Sequence, residues 1–383
     1  MRFDSVIIGG GLAGLTAGIS LQQAGRSTAI VSTGQNALHF FSGCFESLLE
    51  PPQRMLELFA GAGIPLHFEE GVRLMPLGTF RPAALALKDI DLLPAPRFAD
   101  KVLVVGIAGF QDFFPGFLAD GLTQQGMQCR AVQLELPELE KLRTSPTEMR
   151  SVQVARMLDR MWGKVIRETK RLLLDEDAVV LPQVFGLQDP AVPDYIRQGI
   201  AVRVVFAGTL PPSVPGIRTQ MLLKRRYEEL GGTFLAGDEV VGAEMEGDRV
   251  KRVATRNLDS HGLEAEHYLL ATGAYFSKGL KANPSGVVEP VFGLDVEQTA
   301  DRAAWYDPDF AADQPYMQFG VRTDAALHPL REGRPLANLY AIGSILGTTR
   351  PEYGSGAGLA VRSAFAAVDG ILRQAQDDRR YSG

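Results

Sequence analysis

Residues Asp4–Gly18 read DSVIIGGGLAGLTAG, and their reading decides the fold. Val6, Ile7 and Ile8 are β-branched, so Ser5 to Ile8 predict a buried strand, while Leu12 to Ala24 predict an apolar helix that ends at Gly25. Gly9, Gly11 and Gly14 lie between the two in GxGxxG spacing. In that spacing the first glycine permits a tight turn, the second lets backbone N–H groups approach a phosphate, and the third lets helix and strand pack closely. The helix N-terminus then offers the positive end of its dipole to the anion. Thr28 to Ser32 predict a second strand that completes a βαβ unit. Lying between a strand and a helix, the glycines point to a nucleotide site, which the spacing alone would not do.

One part of this fingerprint is missing. An Asp or Glu normally ends the second strand and binds the ribose hydroxyls, yet no carboxylate occurs between Asp4 and Glu46. Ser32 or Thr33 must substitute. A neutral hydroxyl contributes roughly 1 kcal/mol where a charged partner contributes ~1.5–3, about a tenfold loss in affinity for an adenosine ribose. The deficit weighs more against NAD than against FAD, whose isoalloxazine adds contacts of its own.

Working outward, the 383 residues allow two or three domains at roughly 100–200 residues each. Composition is ordinary for a globular protein, with 45% hydrophobic and 22% charged residues, and no run approaches the ~18 apolar residues of a membrane span. A net charge of -6 argues against a nucleic-acid partner. Two cysteines, Cys44 and Cys129, cannot supply a disulfide framework or a four-thiolate cluster, and five scattered histidines suggest no metal site. The first twenty residues lack a basic start and a cleavage site, so they belong to the fold and the chain is expected in the cytoplasm.

The second half returns to the first domain. Ile217 to Leu230 predict a helix, Thr233 to Leu235 a strand, and Val240 to Met245, Arg249 to Arg256 and Leu263 to Ala271 a three-stranded meander. The last strand runs into Thr272 and Gly273, small residues that let backbone approach a bound group. Leu339 to Ser344 predict another buried strand containing Gly343, and Gly354, Gly356 and Gly358 lead into a helix from Leu359 to Leu372. The expected cofactor contacts are therefore Gly9, Gly11, Gly14, Ser32, Thr272, Gly273, Gly343 and Gly356.

The intervening stretch predicts a strand at Lys101 to Val105, a helix at Asp112 to Gln125 and a strand at Cys129 to Leu136; Gly106 and Gly109 read as turn residues there. The expected class is α/β: a discontinuous Rossmann-like domain from 1–44 and 206–383, with an inserted α/β or α+β substrate, cap or docking domain at 45–205. Val152 to Leu174 predict one amphipathic helix with Arg156, Arg160, Lys164, Arg167 and Arg171 on one face. That face reads as a solvated surface balanced by Asp159 and Glu168 more readily than as a dock for an acidic partner or lipid.

DSVIIGGGLAGLTAG, LLATGAYFS (Leu269–Ser277) and NLYAIGSILGTTRPEYGSGAGLAVRSAFAA (Asn338–Ala367) resemble the FAD/NAD(P)-binding flavoprotein superfamily related to fumarate reductase flavoprotein subunits. GQNALHFFSGCFESLL (Gly34–Leu49) and TLPPSVPGIR (Thr209–Arg218) bring the resemblance closer, to the B subunits of anaerobic glycerol-3-phosphate dehydrogenases, over nearly the whole chain. The resemblance implies a flavin-binding Rossmann-like fold with FMN as cofactor and FAD as the alternative. It also implies oxidation of sn-glycerol 3-phosphate to dihydroxyacetone phosphate, with electrons passed to quinone. Its implied partners are a homologous catalytic flavoprotein, the A subunit, and an iron–sulfur protein, the C subunit, that attaches the complex to the inner membrane. Such chemistry needs a base for the hydroxyl proton and cations for the substrate phosphate. His39 and His328 are the candidate bases, Arg322 and Arg350 the candidate phosphate ligands, and Cys44 reads as an inert buried thiol. A structural, docking or electron-relay role with the chemistry in the partner chain, and a stand-alone flavin oxidoreductase of other specificity, are the competing readings.

Overall fold

The computed structural model describes residues 1–34, 36–45, 53–144, 149–258, 262–309, 312–347 and 356–381, with side chains up to 376. From the N-terminus, β1 (Arg2–Ile8), α1 (Leu12–Gln23) and β2 (Thr28–Ser32) form the expected βαβ unit. Then come α2 (Gln53–Gly61) and a hairpin of β3 (Leu66–Leu74) and β4 (Phe80–Leu87). A second α/β run follows: β5 (Lys101–Ile107), α3 (Pro115–Gln124), β6 (Gln128–Leu134), a short α4 (Glu140–Arg143), α5 (Ser151–Leu158), α6 (Trp162–Leu172), β7 (Ala178–Pro182), α7 (Val192–Gly199) and β8 (Arg203–Ala207). The chain returns through α8 (Val214–Glu229), β9 (Thr233–Ala236) and the meander β10 (Val240–Glu246), β11 (Arg249–Thr255) and β12 (Leu263–Leu270). Three short antiparallel pairs, β13 (Lys281–Asn283) with β14 (Gly286–Val288), β15 (Val296–Glu297) with β16 (Gly320–Val321), and β17 (Leu330–Arg331) with β18 (Arg334–Pro335), precede β19 (Leu339–Ala341) and α9 (Gly356–Tyr381).

The first sheet runs β10-β11-β12-β1-β2-β9, with β19 paired to the carboxyl-terminal part of β12. Its strands β19, β12, β1, β2 and β9 are parallel, so their carboxyl ends share one edge. Alternation along them separates two cores. Ile7, Ile30, Leu269 and Tyr340 face α1 and α9, while Val6, Ile8, Val31, Leu270 and Ala341 face the meander side and the short pairs. α1 is buried along Leu12–Leu21, which explains why it is apolar all round. A Cβ on Gly18 would lie 2.8 Å from the Tyr227 ring, so α1 and α8 approach closely there. Tyr227 then reaches under β2, its hydroxyl 2.8 Å from Thr28 Oγ1 and donating to the Thr28 carbonyl at 2.9 Å.

The second sheet runs β6-β5-β7-β8, all parallel, over its own core. Residues of α2 and β4, with Ile90 and Leu92, pack instead into the core beneath α1. The stretch expected as one helix from Val152 to Leu174 is two helices. The break comes at Asp159, whose carboxylate turns inward and accepts the N–H groups of Gly186 and Gln188, both at 2.7 Å. Three of the four basic side chains of α6 are matched locally: Lys164 pairs with Glu138 at 2.6 Å, and Arg167 and Arg171 pair with Glu168 at 3.5 and 2.8 Å. This is the solvated arrangement that the composition of the face favours.

Candidate functional site: a crevice at the carboxyl edge of the first sheet

Gly9 leaves β1 at φ 121°, in a region open to glycine, and a Cβ there would sit 2.2 Å from the Ala271 carbonyl oxygen. Gly14 packs the helix onto this turn, since its Cβ would lie 2.0 Å from the Gly9 carbonyl oxygen. Gly11 differs from both. It is the N-cap of α1 at φ -82°, and a Cβ on it would meet nothing nearer than Asn36 Cβ at 3.8 Å. No side chain caps α1 and no acid stands in its first turn. The first intrahelical bond is Leu15 N–H to the Gly11 carbonyl at 2.9 Å, and the N–H groups of Leu12, Ala13 and Gly14 have no partner among the described residues. Positive dipole, free N–H groups and a small residue together make an anion cradle.

Ser32 lies directly beneath this loop. A Cβ on Gly10 would come within 2.7 Å of its hydroxyl, which accepts the Gly34 N–H at 3.2 Å. Asn36, which sequence reasoning missed, ties the following segment back to the cradle. Its amide donates to the Gly10 carbonyl at 3.3 Å, and its Oδ1 accepts the Leu38 N–H at 2.9 Å, starting a 3-10 turn over Ala37–Phe40. A polar residue just past the second strand, at the head of an apolar turn, was the available signal.

The far wall comes from the segment after β12. Gly273 has φ 72° and packs against Ser277 and the Ser344 hydroxyl, while a Cβ on Gly343 would lie 3.0 Å from Ala13 Cβ on α1. Gly9, Thr272, Gly273 and Gly343 thus surround the start of α1. The Thr272 hydroxyl and the Tyr275 hydroxyl are buried without a partner among the described residues. Burial and the neighbouring Tyr316 push the Tyr275 phenol up to about 12, so it remains a proton donor throughout the physiological range. Phe40 and Phe276, both half exposed, meet edge to face at 4.1 Å and join the Ala37–Phe40 turn to this wall. An uncapped helix start, two orphaned hydroxyls and aromatic edges are what an anionic, ring-bearing cofactor needs, so the crevice fits a dinucleotide of the flavin type.

Comparison with known proteins bears on the same residues. The family model for an FAD binding domain matches residues 4–58 and 53–359. The B subunit of anaerobic glycerol-3-phosphate dehydrogenase from Yersinia pestis is 38% identical over 419 aligned positions, covering 98% of this chain and 99% of that protein. Its counterparts from Pectobacterium atrosepticum and Vibrio cholerae are 37% and 33% identical, each covering at least 97% of both chains. The chain belongs to the family of anaerobic glycerol-3-phosphate dehydrogenase B subunits. It is accordingly a flavoprotein of the oxidoreductase class. The matched model describes FAD, and FMN has no such support.

The residues nominated for chemistry in this family member are not gathered in one place. His39 sits on the Ala37–Phe40 turn beside the crevice, and burial pulls its imidazole below the ordinary value against a hydrogen bond with Gln220. It is therefore a neutral proton acceptor at pH 7. His328 is elsewhere. Its Nδ1 lies 3.0 Å from the Leu339 carbonyl, its ring stacks on Tyr340 at 4.4 Å, and it lines a separate cavity of about 580 Å³ with Asp369, Gly370 and Arg373. Gly370 is roughly 20 Å along α9 from Gly356, the helix's first residue, at ~1.5 Å rise per residue. Arg322 is exposed and paired with Glu297 at 3.1 Å. Arg350 lies outside the described residues. Gly356 opens α9, whose Ser363 hydroxyl accepts the Gly343 N–H at 2.9 Å. Cys44 is buried in the core beneath α1.

The arginine of TLPPSVPGIR has a structural task. Arg218, 6% exposed, grips the Asp89 carboxylate with Nη2 at 2.7 and 2.6 Å and donates to the Gly186 carbonyl at 2.9 Å. The preceding segment joins the two sheets. Ser213 N–H donates to the His39 carbonyl at 2.7 Å and its hydroxyl to the Phe41 carbonyl at 2.5 Å. The segment leaving β8 in the second sheet is thereby clamped to the turn that follows β2 in the first.

Proposed function

We propose that this chain is the flavin-bearing B subunit of a complex that oxidises sn-glycerol 3-phosphate to dihydroxyacetone phosphate and delivers the electrons to quinone. The observation that carries the proposal is the uncapped start of α1, enclosed by Gly9, Thr272, Gly273 and Gly343, in a chain related to named B subunits over nearly its full length. FAD is the proposed form of the flavin, because the cradle is placed for a diphosphate and FMN carries a single phosphate. When bound, the flavin supplies the two-electron acceptor. The chain's own residues do the rest: α1 N–H groups hold the diphosphate, Ser32 and Thr33 meet the ribose, and the Thr272 and Tyr275 hydroxyls donate to polar atoms brought into the crevice. His39, neutral at pH 7, takes the substrate's hydroxyl proton.

We also propose the division into a flavin domain, 1–44 and 206–383, and an inserted unit, 45–205, that presents substrate or partner. The proposed partners are a homologous flavoprotein, the A subunit, and an iron–sulfur protein, the C subunit, that holds the assembly at the inner membrane from the cytoplasmic side. With two cysteines the sequence cannot ligate a cluster by four thiolates, and no helix of the described residues is long and apolar enough to cross a membrane. An electron-relay role, with the alcohol oxidised in the homologous flavoprotein, is the second reading; the dispersal of His328 and Arg322 away from the crevice favours it. Two measurements test the proposal. Flavin released by denaturation and chromatographed should run as FAD. Anaerobic glycerol 3-phosphate should bleach the flavin of the purified chain; bleaching only after the homologous flavoprotein is added would move the chemistry to that partner.

A further inference from the structure

The order β6-β5-β7-β8 contains a strand-order reversal: from β5 the chain goes outward to β6 on one side and later to β7 on the other. In open parallel sheets the crevice at the carboxyl ends of the strands flanking such a reversal is where ligands bind. Three segments form this rim, 108–112 after β5, 183–188 after β7 and 208–213 after β8. Each is braced. Asp112, 4% exposed, accepts Arg150 Nε at 2.9 Å, the Ser151 N–H at 3.2 Å and the Ser151 hydroxyl at 3.1 Å. Its carbonyl accepts the Leu210 N–H at 2.8 Å. Asp159 and Arg218 hold Gly186 from both its N–H and its carbonyl.

On this scaffold sit donors with capacity to spare among the described residues. Arg150 is fixed through Nε to Asp112 and through Nη2 to the Pro211 carbonyl at 2.9 Å, yet its side chain is 46% exposed. Gln183, 7% exposed on the same rim, has an amide Nε2 without any partner among the described residues. α3 begins from the 108–112 segment with no side-chain cap and no acid in its first turn. A fixed arginine fork, an orphaned amide and the positive end of a helix on one rim all favour the same guest, an oxyanion. Pro211 is two residues before Ser213, which is bonded to the His39 carbonyl, so Arg150 stands within roughly 13 Å of the His39 backbone at ~3.5 Å per residue.

We propose that this rim is a phosphate-binding subsite, with Arg150 as its principal ligand and the Gln183 amide as a second donor, and that it seats the phosphoryl end of the substrate. The identity of that substrate rests on the function proposed above; the subsite itself does not. In this proposal it takes the role expected of Arg322, which is paired with Glu297. The test is calorimetric titration of the flavin-loaded chain with inorganic phosphate and, separately, with glycerol 3-phosphate. Parent protein should bind both, Arg150→Gln should weaken both about ten- to hundredfold, and Arg150→Lys, which keeps the charge for Asp112 but loses the fork, should fall between. The exposed Arg156→Gln serves as the control. Should Arg150→Gln fail to fold, Arg150→Lys carries the comparison, and parent-like affinity in that variant overturns the assignment. Failure of the parent to bind phosphate overturns it as well. Phosphate binding that depends on Arg150, with no response to glycerol 3-phosphate, would uphold the subsite and reject the substrate.

Discussion

Gly11→Asp should separate cofactor binding from folding, because it is expected to move them in opposite directions. At φ -82° and ψ -170° with nothing within 3.8 Å of a new Cβ, residue 11 accepts a side chain without strain. Aspartate is among the best N-cap residues, and α1 has no side-chain cap of its own. The flavin-free protein should therefore gain about 1 kcal/mol, a rise in Tm of about 2 °C for a chain this long. The same carboxylate occupies the cradle. At ~4 Å from a bound phosphate and an effective dielectric near 20, the repulsion is about 4 kcal/mol, roughly a thousandfold in affinity. Gly11→Ala should fit equally well and weaken the flavin less, by steric displacement alone. The assay is the ratio of visible to ultraviolet absorbance after purification, with differential scanning fluorimetry of flavin-stripped samples. A yellow Gly11→Asp protein would place the diphosphate elsewhere. A flavin-free variant that melted well below the parent would show that the space beside Gly11 is not open.

Arg218→Ala leaves the Asp89 carboxylate and the Gly186 carbonyl without their buried donor, and should cost about 3–5 kcal/mol by urea denaturation. Tyr227→Phe removes the hydroxyl that bridges Thr28 and Thr233 and should cost about 1–2 kcal/mol, with flavin content unchanged. His39 gives a pH prediction whose sign follows from burial of the neutral ring: the folded value lies below 6.5, so the unfolded chain takes the proton first as pH falls. Stability from this site should be complete above pH 6.5 and lost as pH drops from there through the folded value; His39→Asn should remove that slope from a Tm series. If His39 accepts the substrate proton, flavin bleaching should hold its rate from pH 8 down past 6.5 before it declines.

The flavin crevice was legible because backbone makes it. Gly9, Gly11 and Gly14 are recognisable from spacing between a strand and a helix, Gly273 from the small-residue end of its strand, and backbone N–H groups need no particular side chain to do their work. Gly343 was nominated from its buried strand, but its approach to α1 depends on β19 pairing with β12, which the fold supplies. Helix continuity through Asp159 was misread because the pattern of apolar positions carries past it, the nearest helix-breaking residue being Gly163, just beyond the break. The carboxylate that interrupts the helix is drawn inward by two N–H groups nearly thirty residues away. Arg218 was illegible for the same reason: it acts through a partner that only the fold supplies.

The scatter of the nominated histidines and arginines has a physical cause in the way the two sheets meet. A search anchored on the glycine loop looks to the long return between β12 and α9, where Arg322 and His328 lie between β16 and β17. Yet Arg322 is paired with Glu297, and His328 is turned toward the Leu339 carbonyl and Tyr340. The carboxyl edge of the second sheet reaches the first through Ser213, and the only nominated base that this clamp touches is His39. A reacting alcohol must lie between the flavin crevice and whatever holds its phosphate, so a phosphate ligand is more useful on the segment that ends in that clamp than on the flavin domain's own far side. Pro211 and Ser213 fix Arg150 and the His39 turn to one short length of backbone. Their separation is then set by two peptide units rather than by the relative placement of two domains, which is the precision that positioning a small substrate requires.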